Sequence, residues 1–286
     1  MTLELHDGAL QIFDVDHGQC ALLTLPGPTR VHRVLIDCGH SVDFQGAPWH
    51  PGAHLSGLGI NYVDVLMCMN FDEDHVSGYP DLVRRGIQVG AVFGNPTVPP
   101  EAIAHMKAQN GMGAGIAAIA ATLASRRTLG ISLLPQTVPG LGLTWACNRY
   151  PFFDDENSLS LVVMLDIHGF KFLFPGDMES CGFRHMLATY PPFRQTVASI
   201  DVLVAAHHGR ENGICTEMFD DYGCRPELVV ISDDYKQYDT QETTSYYARK
   251  ARGITNFRGQ GPRYVLTTRN DGEVIFSFRD GRCFVL

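Results

Sequence analysis

Three short stretches carry side chains that could gather around an ion or move a proton. They are Asn70-Phe71-Asp72-Glu73-Asp74-His75, Gly176-Asp177 and His207-His208-Gly209-Arg210. Carboxylates and imidazoles together bind divalent ions, and in Asp72, Asp74 and His75 three such groups fall within four residues. A bound cation would also relieve the repulsion among Asp72, Glu73 and Asp74. Each stretch has an ordinary reading as well. The acidic turn reads equally as a cap on a helix beginning near Val76, Asp177 as a turn residue after glycine, and the histidine pair as a hydrogen-bonded surface feature. Position favours chemistry, because each stretch follows an apolar run of strand character and ligands meet on loops at one edge of a rigid sheet.

The elements that must position these loops follow from periodicity. The first forty residues read as a β-meander of three strands, Ala9 to Val15, Cys20 to Leu25 and Val31 to Asp37, separated by Asp-His-Gly and Pro-Gly-Pro turns. A loop rich in Gly, Pro and His leads to Val63 to Met69, a continuous apolar run suited to a strand covered on both faces. A helix near Tyr79 to Arg85 and a strand near Val89 to Phe93 follow. An Ala-rich helical stretch over 97–127 is broken into two helices by Gly111, Gly113 and Gly115, whose spacing is not that of a dinucleotide-binding loop. Strands return at Leu141 to Tyr150, Leu159 to Asp166 and Phe170 to Phe174, followed by a helix near Cys181 to Thr189. Strand Val202 to Ala206, a helix near Glu217, strand Leu228 to Ser232 and a helix near Thr243 to Ala251 then alternate. The chain closes on Tyr264 to Thr267 and Glu273 to Phe278, which the Asn270-Asp271-Gly272 turn makes a hairpin.

With no Pro/Ser-rich linker or charge run, this order predicts one domain over residues 1–286 with a helical insertion at about 97–127. The fold class is α/β, an αββα sandwich in which two mixed β-sheets pack face to face with helices outside. A hydrophobic content of 45% against 19% charged residues supplies a buried core and excludes general disorder. The formal net charge of -9 excludes a broad basic footprint, so nucleic acid would be gripped through local contacts only. Eight cysteines without a CxxC pair read as buried free thiols. No charged leader opens the chain and no apolar run approaches the ~18 residues of a membrane span, so a soluble, cytoplasmic protein without membrane contact is expected. GxSxG, HExxH and P-loop sequences are absent, which removes serine hydrolase, zincin and nucleoside-triphosphatase chemistry.

Taken in order, Phe13-Asp14-Val15 with Gly18, Leu35-Ile36-Asp37-Cys38-Gly39, Asp72-x-Asp74-His75-x-x-Gly78, Asn157-Ser158-Leu159-Ser160, Gly176-Asp177 and His207-His208-Gly209 resemble the metallo-β-lactamase superfamily. Within it the chain is similar to the hydrolase domain of the ComEC-like competence DNA-uptake proteins, over nearly its whole length. The resemblance implies that Asp74, His75, Asp177 and His207 hold one metal ion, with Asp177 bridging to a second site built from Asn70, Asp72 and Asn157. Where the family has histidine at the first position this chain has Asn70, a weaker ligand for zinc that suits harder ions such as manganese or magnesium. Of the histidine pair, His207, nearest the strand end, is the expected ligand and His208 its support. The family's residues after Asp14-Val15 are replaced by Asp16 and His17, and the serine after His-His-Gly by Arg210. Arg210 reads as a phosphate-binding group or as a solvated surface arginine, and His17 and His40 are open in the same way.

The resemblance therefore implies a metal-dependent hydrolase of phosphodiester bonds, in DNA or other nucleic acid, with one or two manganese, zinc or magnesium ions. Asp74 would orient or deprotonate the attacking water, and Asp72, His208 and Arg210 complete the catalytic set. A membrane channel accompanies the ComEC domain and is missing from this sequence, so a protein partner is the expected source of substrate. Two other readings stay open. One is an impaired domain kept as a binding or assembly module, motivated by Asn70. The other is a small-molecule (cyclic-nucleotide) phosphodiesterase, which would need a closed pocket with stacking side chains.

Overall fold

The computed structural model describes residues 6–44, 47–107, 111–234, 240 and 242–286, so residues 108–110 of the expected helical segment lie outside the described residues. The chain opens on the expected meander, β1 (Gly8–Ile12), β2 (Ala21–Pro26) and β3 (Val31–Ile36), paired antiparallel in that order. Ala21, Leu22, Leu23 and Leu25 are all buried because the sheet is covered on both faces. The Gly/Pro/His loop is more ordered than its composition implied. It forms a small antiparallel pair, β4 (Ser41–Phe44) with β5 (Ala47–Trp49), and a helix α1 (Pro51–Gly57) that starts on proline.

β6 (Tyr62–Met67) lies parallel to β3, and after α2 (Glu73–Val76) and α3 (Tyr79–Arg84) comes β7 (Gln88–Phe93), parallel to β6. The helical segment is the expected pair, α4 (Pro100–Met106) and α5 (Ala114–Thr128). A second meander follows, β8 (Leu141–Cys147), β9 (Leu161–Ile167) and β10 (Phe170–Phe174). After α6 (Ser180–Thr189) and α7 (Pro191–Val197), strands alternate with helices: β11 (Val202–Val204), α8 (Thr216–Asp220), β12 (Leu228–Ile231), α9 (Thr244–Lys250) and β13 (Val265–Thr267). These three strands continue parallel from β10.

The chain ends on α10 (Thr268–Asp271), β14 (Val274–Arg279) and β15 (Arg282–Val285). The hairpin expected across Asn270-Asp271-Gly272 does not form. α10 occupies that turn, capped by Thr267 Oγ1 accepting from Asn270 N at 3.3 Å, and Gly272 (φ 67°) sends the chain into the other sheet. β13 accordingly pairs with β12, and β14 with β1. The hairpin is one element later, where β14 and β15 join through Asp280-Gly281, both at positive φ (52° and 68°), the turn that matches strand twist.

Among the described residues, one sheet has the order β15-β14-β1-β2-β3-β6-β7 and the other β13-β12-β11-β10-β9-β8. Between them Ile12, Ile36 and Met67 of the first meet Leu165, Phe172 and Val230 of the second. Behind the first sheet Val63 and Leu66 pack on Tyr79, Leu82, Ile116 and Ile119; behind the second Leu203 and Val229 pack on Phe183, Leu187, Phe219 and Tyr247. Helix, sheet, sheet, helix is the layer order the sequence predicted. No helix of the described residues is long and apolar enough to cross a membrane. All eight cysteines are free thiols, with Cys20, Cys38, Cys68, Cys215 and Cys224 buried.

Candidate metal centre

The strand ends that carry the three stretches reach one edge because β3 and β6 run parallel in one sheet and β10, β11 and β12 in the other. Met69 ties the sheets there: its N–H donates to Asp37 Oδ1 at 2.7 Å and its carbonyl accepts from Leu161 N at 2.7 Å. The turns are tight. Asp37, His207 and His208 sit at φ 54°, 51° and 52°, a left-handed conformation that costs a non-glycine residue about 1–2 kcal/mol. Such strain persists where the surroundings fix it, and here it aims side chains inward. Gly39 permits a close backbone approach, since a Cβ there would lie 2.2 Å from the Asp74 carbonyl oxygen.

Asp74, His75, Asp177 and His208 each present one ligand atom, and these atoms lie within 4.8 Å of one another. His75 is fully buried, with Nδ1 2.7 Å from Asp37 Oδ2 and Nε2 2.9 Å from Asp177 Oδ1. His208 Nδ1 lies 2.9 Å from the Ser232 carbonyl oxygen, a contact only an N–H can satisfy, so the neutral ring keeps its lone pair on Nε2. That Nε2 is buried without a hydrogen bond, 3.2 Å from Asp74 Oδ2 and 3.5 Å from Asp177 Oδ1. With the ring neutral, two carboxylates and an imidazole lone pair face one another as acceptors alone, and such a set calls for a cation between them, a proton or a metal ion. Two oxygen and two nitrogen donors fit a divalent ion.

The electrostatics say the same. Burial opposes charge on His75, yet Asp177, Asp37 and Asp74 outweigh it and hold the ring well above its ordinary range. Burial also disfavours the Asp177 carboxylate, but His75 and His208 pull it far below the usual carboxylate range. His208 is raised by Asp177 and Asp74 against its burial, and Asp74 is lowered by His75 and His208 against its own. Such a set stabilises positive charge at its centre, whether proton or metal. His207 behaves oppositely: burial lowers it, Asp177 does not make up the loss, and Arg210 and His208 add to it.

Of the histidine pair, the structure brings His208 rather than the expected His207 to the other three side chains. His207 Nε2 is 3.9 Å from Asp177 Oδ2 and 3.2 Å from Arg210 Nη1, while Nδ1 is 3.9 Å from Glu179 Oε1. Two left-handed residues in succession turn the rings apart, to centroids 6.5 Å from each other, and it is the second ring that lies over the centre. Asp72 does not join the group either: its Oδ1 accepts from Glu73 N at 2.9 Å as the cap of α2 and pairs with Lys107 Nζ at 3.0 Å. Buried Asn70 donates through Nδ2 to Asn157 Oδ1 at 3.1 Å, and its own Oδ1 has no hydrogen bond. Asn157 donates in turn to Glu179 Oε1 at 3.3 Å.

Arg210 stays at the mouth beside His207. His17 lies in the same field, lowered by burial and acted on by Asp234, His208, Arg210 and Asp74. His40 is elsewhere, with Nδ1 2.6 Å from Ser77 Oγ and its ring stacked on His50. Asp37, which the sequence motifs contain without a role, follows a strand as Asp177 does, and that position is the signal for both. Lys107 and Glu179 had no such signal, because their partners are set by the tertiary fold.

No family model matches the chain. It is 22% identical over 236 residues to ComE operon protein 3 of Bacillus subtilis (strain 168), a match covering 76% of this chain and 27% of that protein. The chain thus spans about a quarter of the length of this curated relative. Among solved structures, a variant of the CmlA β-hydroxylase superposes with a TM-score of 0.53 at 12% identity, covering 97% of this chain and 55% of that one. A diphosphatase from the PhnP family gives a TM-score of 0.48 at 10% identity, covering 95% and 98%. Layer order and mixed sheets give the chain the αββα sandwich of the metallo-β-lactamase fold, the likeness to the CmlA β-hydroxylase variant supports it, and the sequence is similar to ComE operon protein 3.

Proposed function

We propose that this chain is a metal-dependent hydrolase of phosphodiester bonds in nucleic acid. The observation that carries the reading is the buried His208 Nε2, facing Asp74 and Asp177 without a hydrogen bond, where His75 is held between Asp177 and Asp37. The nucleic-acid substrate is supported by the ComEC-like order of the motifs and by the likeness to ComE operon protein 3. With oxygen and nitrogen donors in equal number, manganese and zinc are the ions of choice.

A divalent ion bound here would supply positive charge to the reacting phosphate and lower the pKa of water. The chain's own residues do the rest. Asp74, whose side chain is 37% exposed, is placed to accept the proton of an attacking water. Arg210, whose Nε is buried without a hydrogen bond, offers guanidinium donors to a non-bridging phosphate oxygen. With a net charge of -9 the grip on the strand is local, which suits a partner protein that presents it, and eight free thiols suit the cytoplasm.

The test is cleavage of single- and double-stranded DNA by chelator-stripped protein resupplied with manganese. Wild type is expected to cut, and Asp74→Ala and Asp177→Ala to abolish cutting. No bound metal and no cleavage in the wild type would sink the reading. The amide pair Asn70–Asn157 then favours the second reading, a domain retained for binding or assembly.

A further inference from the structure

The loop carrying Asp74 and His75 is gripped from outside by the helical pair. Lys107, at the end of α4, is only 3% exposed, and its ammonium lies 3.0 Å from Asp72 Oδ1 and 2.9 Å from Glu156 Oε1. The next residue of the loop, Glu73, accepts from Gly115 N at 2.9 Å and Ile116 N at 3.1 Å in the first turn of α5. Lysine is seldom this buried unless its charge is matched, and here two carboxylates match it.

Of the three residues that the motif order assigns to a second ion, Asp72 and Asn157 are already engaged, and Asn70 keeps only its neutral amide oxygen without a hydrogen bond. Asp72 is neutralised by a fixed ammonium, and Asn70 and Asn157 are neutral amides bonded to each other. A dication at that point would face Lys107 with no uncompensated carboxylate among these three to hold it. The four-residue group has no such obstacle: among the described residues, the ion pairs of Asp74, His75, Asp177 and His208 join carboxylates to imidazoles and include no lysine or arginine.

Building on the metal reading above, we infer that the centre is mononuclear and that Lys107 is the fixed positive charge that excludes a second ion. Lys107 is a positioning residue. It holds Asp72 at the cap of α2, and that cap sets the turn from which Asp74 and His75 project.

The experiment is a metal count per full-length chain, by native mass spectrometry and elemental analysis during titration with manganese and with zinc. One ion is expected in the wild type and in Asn70→His, and two in Asn70→His combined with Lys107→Gln. Two ions in the wild type would overturn the inference while leaving the metal reading intact. A second ion in Asn70→His with Lys107 in place, or none gained in a folded double variant, would overturn the part given to Lys107. No ion in the wild type would overturn the metal reading and this inference with it. Should the double variant fail to fold, the wild-type and Asn70→His counts still decide.

Discussion

The two sides of the strand-end edge are built from the same kinds of residue and come out differently. On one side Asp74, His75, Asp177 and His208 point at a common centre, and Asp37 and the Ser232 carbonyl fix both rings from behind. On the other side Asp72 pairs with Lys107 of the helical pair and Asn157 accepts from Asn70, whose neutral amide oxygen alone is left without a hydrogen bond. The difference shows what makes ligand-type residues into a site. A side chain whose polar atoms are bonded within the protein gains little from an ion, whereas buried acceptors left facing one another gain a great deal.

Substitutions on the two sides should separate sharply. The largest effect is expected from Asp177→Ala, which removes the carboxylate shared by His75 and His208 and should lower metal affinity by at least about a hundredfold, read by calorimetry. Equal losses from Asp72→Ala would erase the comparison; that variant should instead keep its affinity within a few-fold and lose about 1 kcal/mol of stability with the α2 cap, read by thermal denaturation.

Asp37→Asn sharpens the comparison from behind. It keeps the shape and the acceptor for Met69 N but weakens the hold on His75, and should cost about 10–100-fold in affinity with little change in fold. Metal binding should also weaken as pH falls. His75 and His208 are held above their ordinary pKa by the surrounding carboxylates, so protons compete for the same centre, and protons should be released when metal binds, measurable in buffers of different ionisation enthalpy.

The smallest effect tests a carboxylate outside the cluster. Burial, with Asp16 and Asp234 nearby, pushes Asp14 up to about 6. A folded-state pKa raised above the unfolded value means that protonation favours the fold, so stability is fullest below about 4 and is lost as pH rises through about 6. Asp14→Asn should therefore stabilise the protein by about 1 kcal/mol at pH 8 and lose that advantage at acid pH, seen as converging melting temperatures.

Much of this was legible in the sequence. Continuous apolar runs such as Val63 to Met69 showed strands covered on both faces, and three ligand-bearing strand ends announced the edge where they meet. The choice between His207 and His208 was not legible, because it turns on two consecutive left-handed residues that spacing does not encode. The fate of Asp72 depends on Lys107, brought to it by a helix whose packing only the tertiary structure sets. The false hairpin arose from a turn signal, Asn270-Asp271-Gly272, that here ends a short helix between two sheets, while the true signal, Asp280-Gly281, lay one strand farther on.

The most direct test of the account is the metal content of chelator-free wild-type protein beside that of His207→Ala and His208→Ala. The geometry expects bound metal in the wild type, retention in His207→Ala and loss in His208→Ala. Loss from His207→Ala with retention in His208→Ala, or no metal in the wild type, would contradict it.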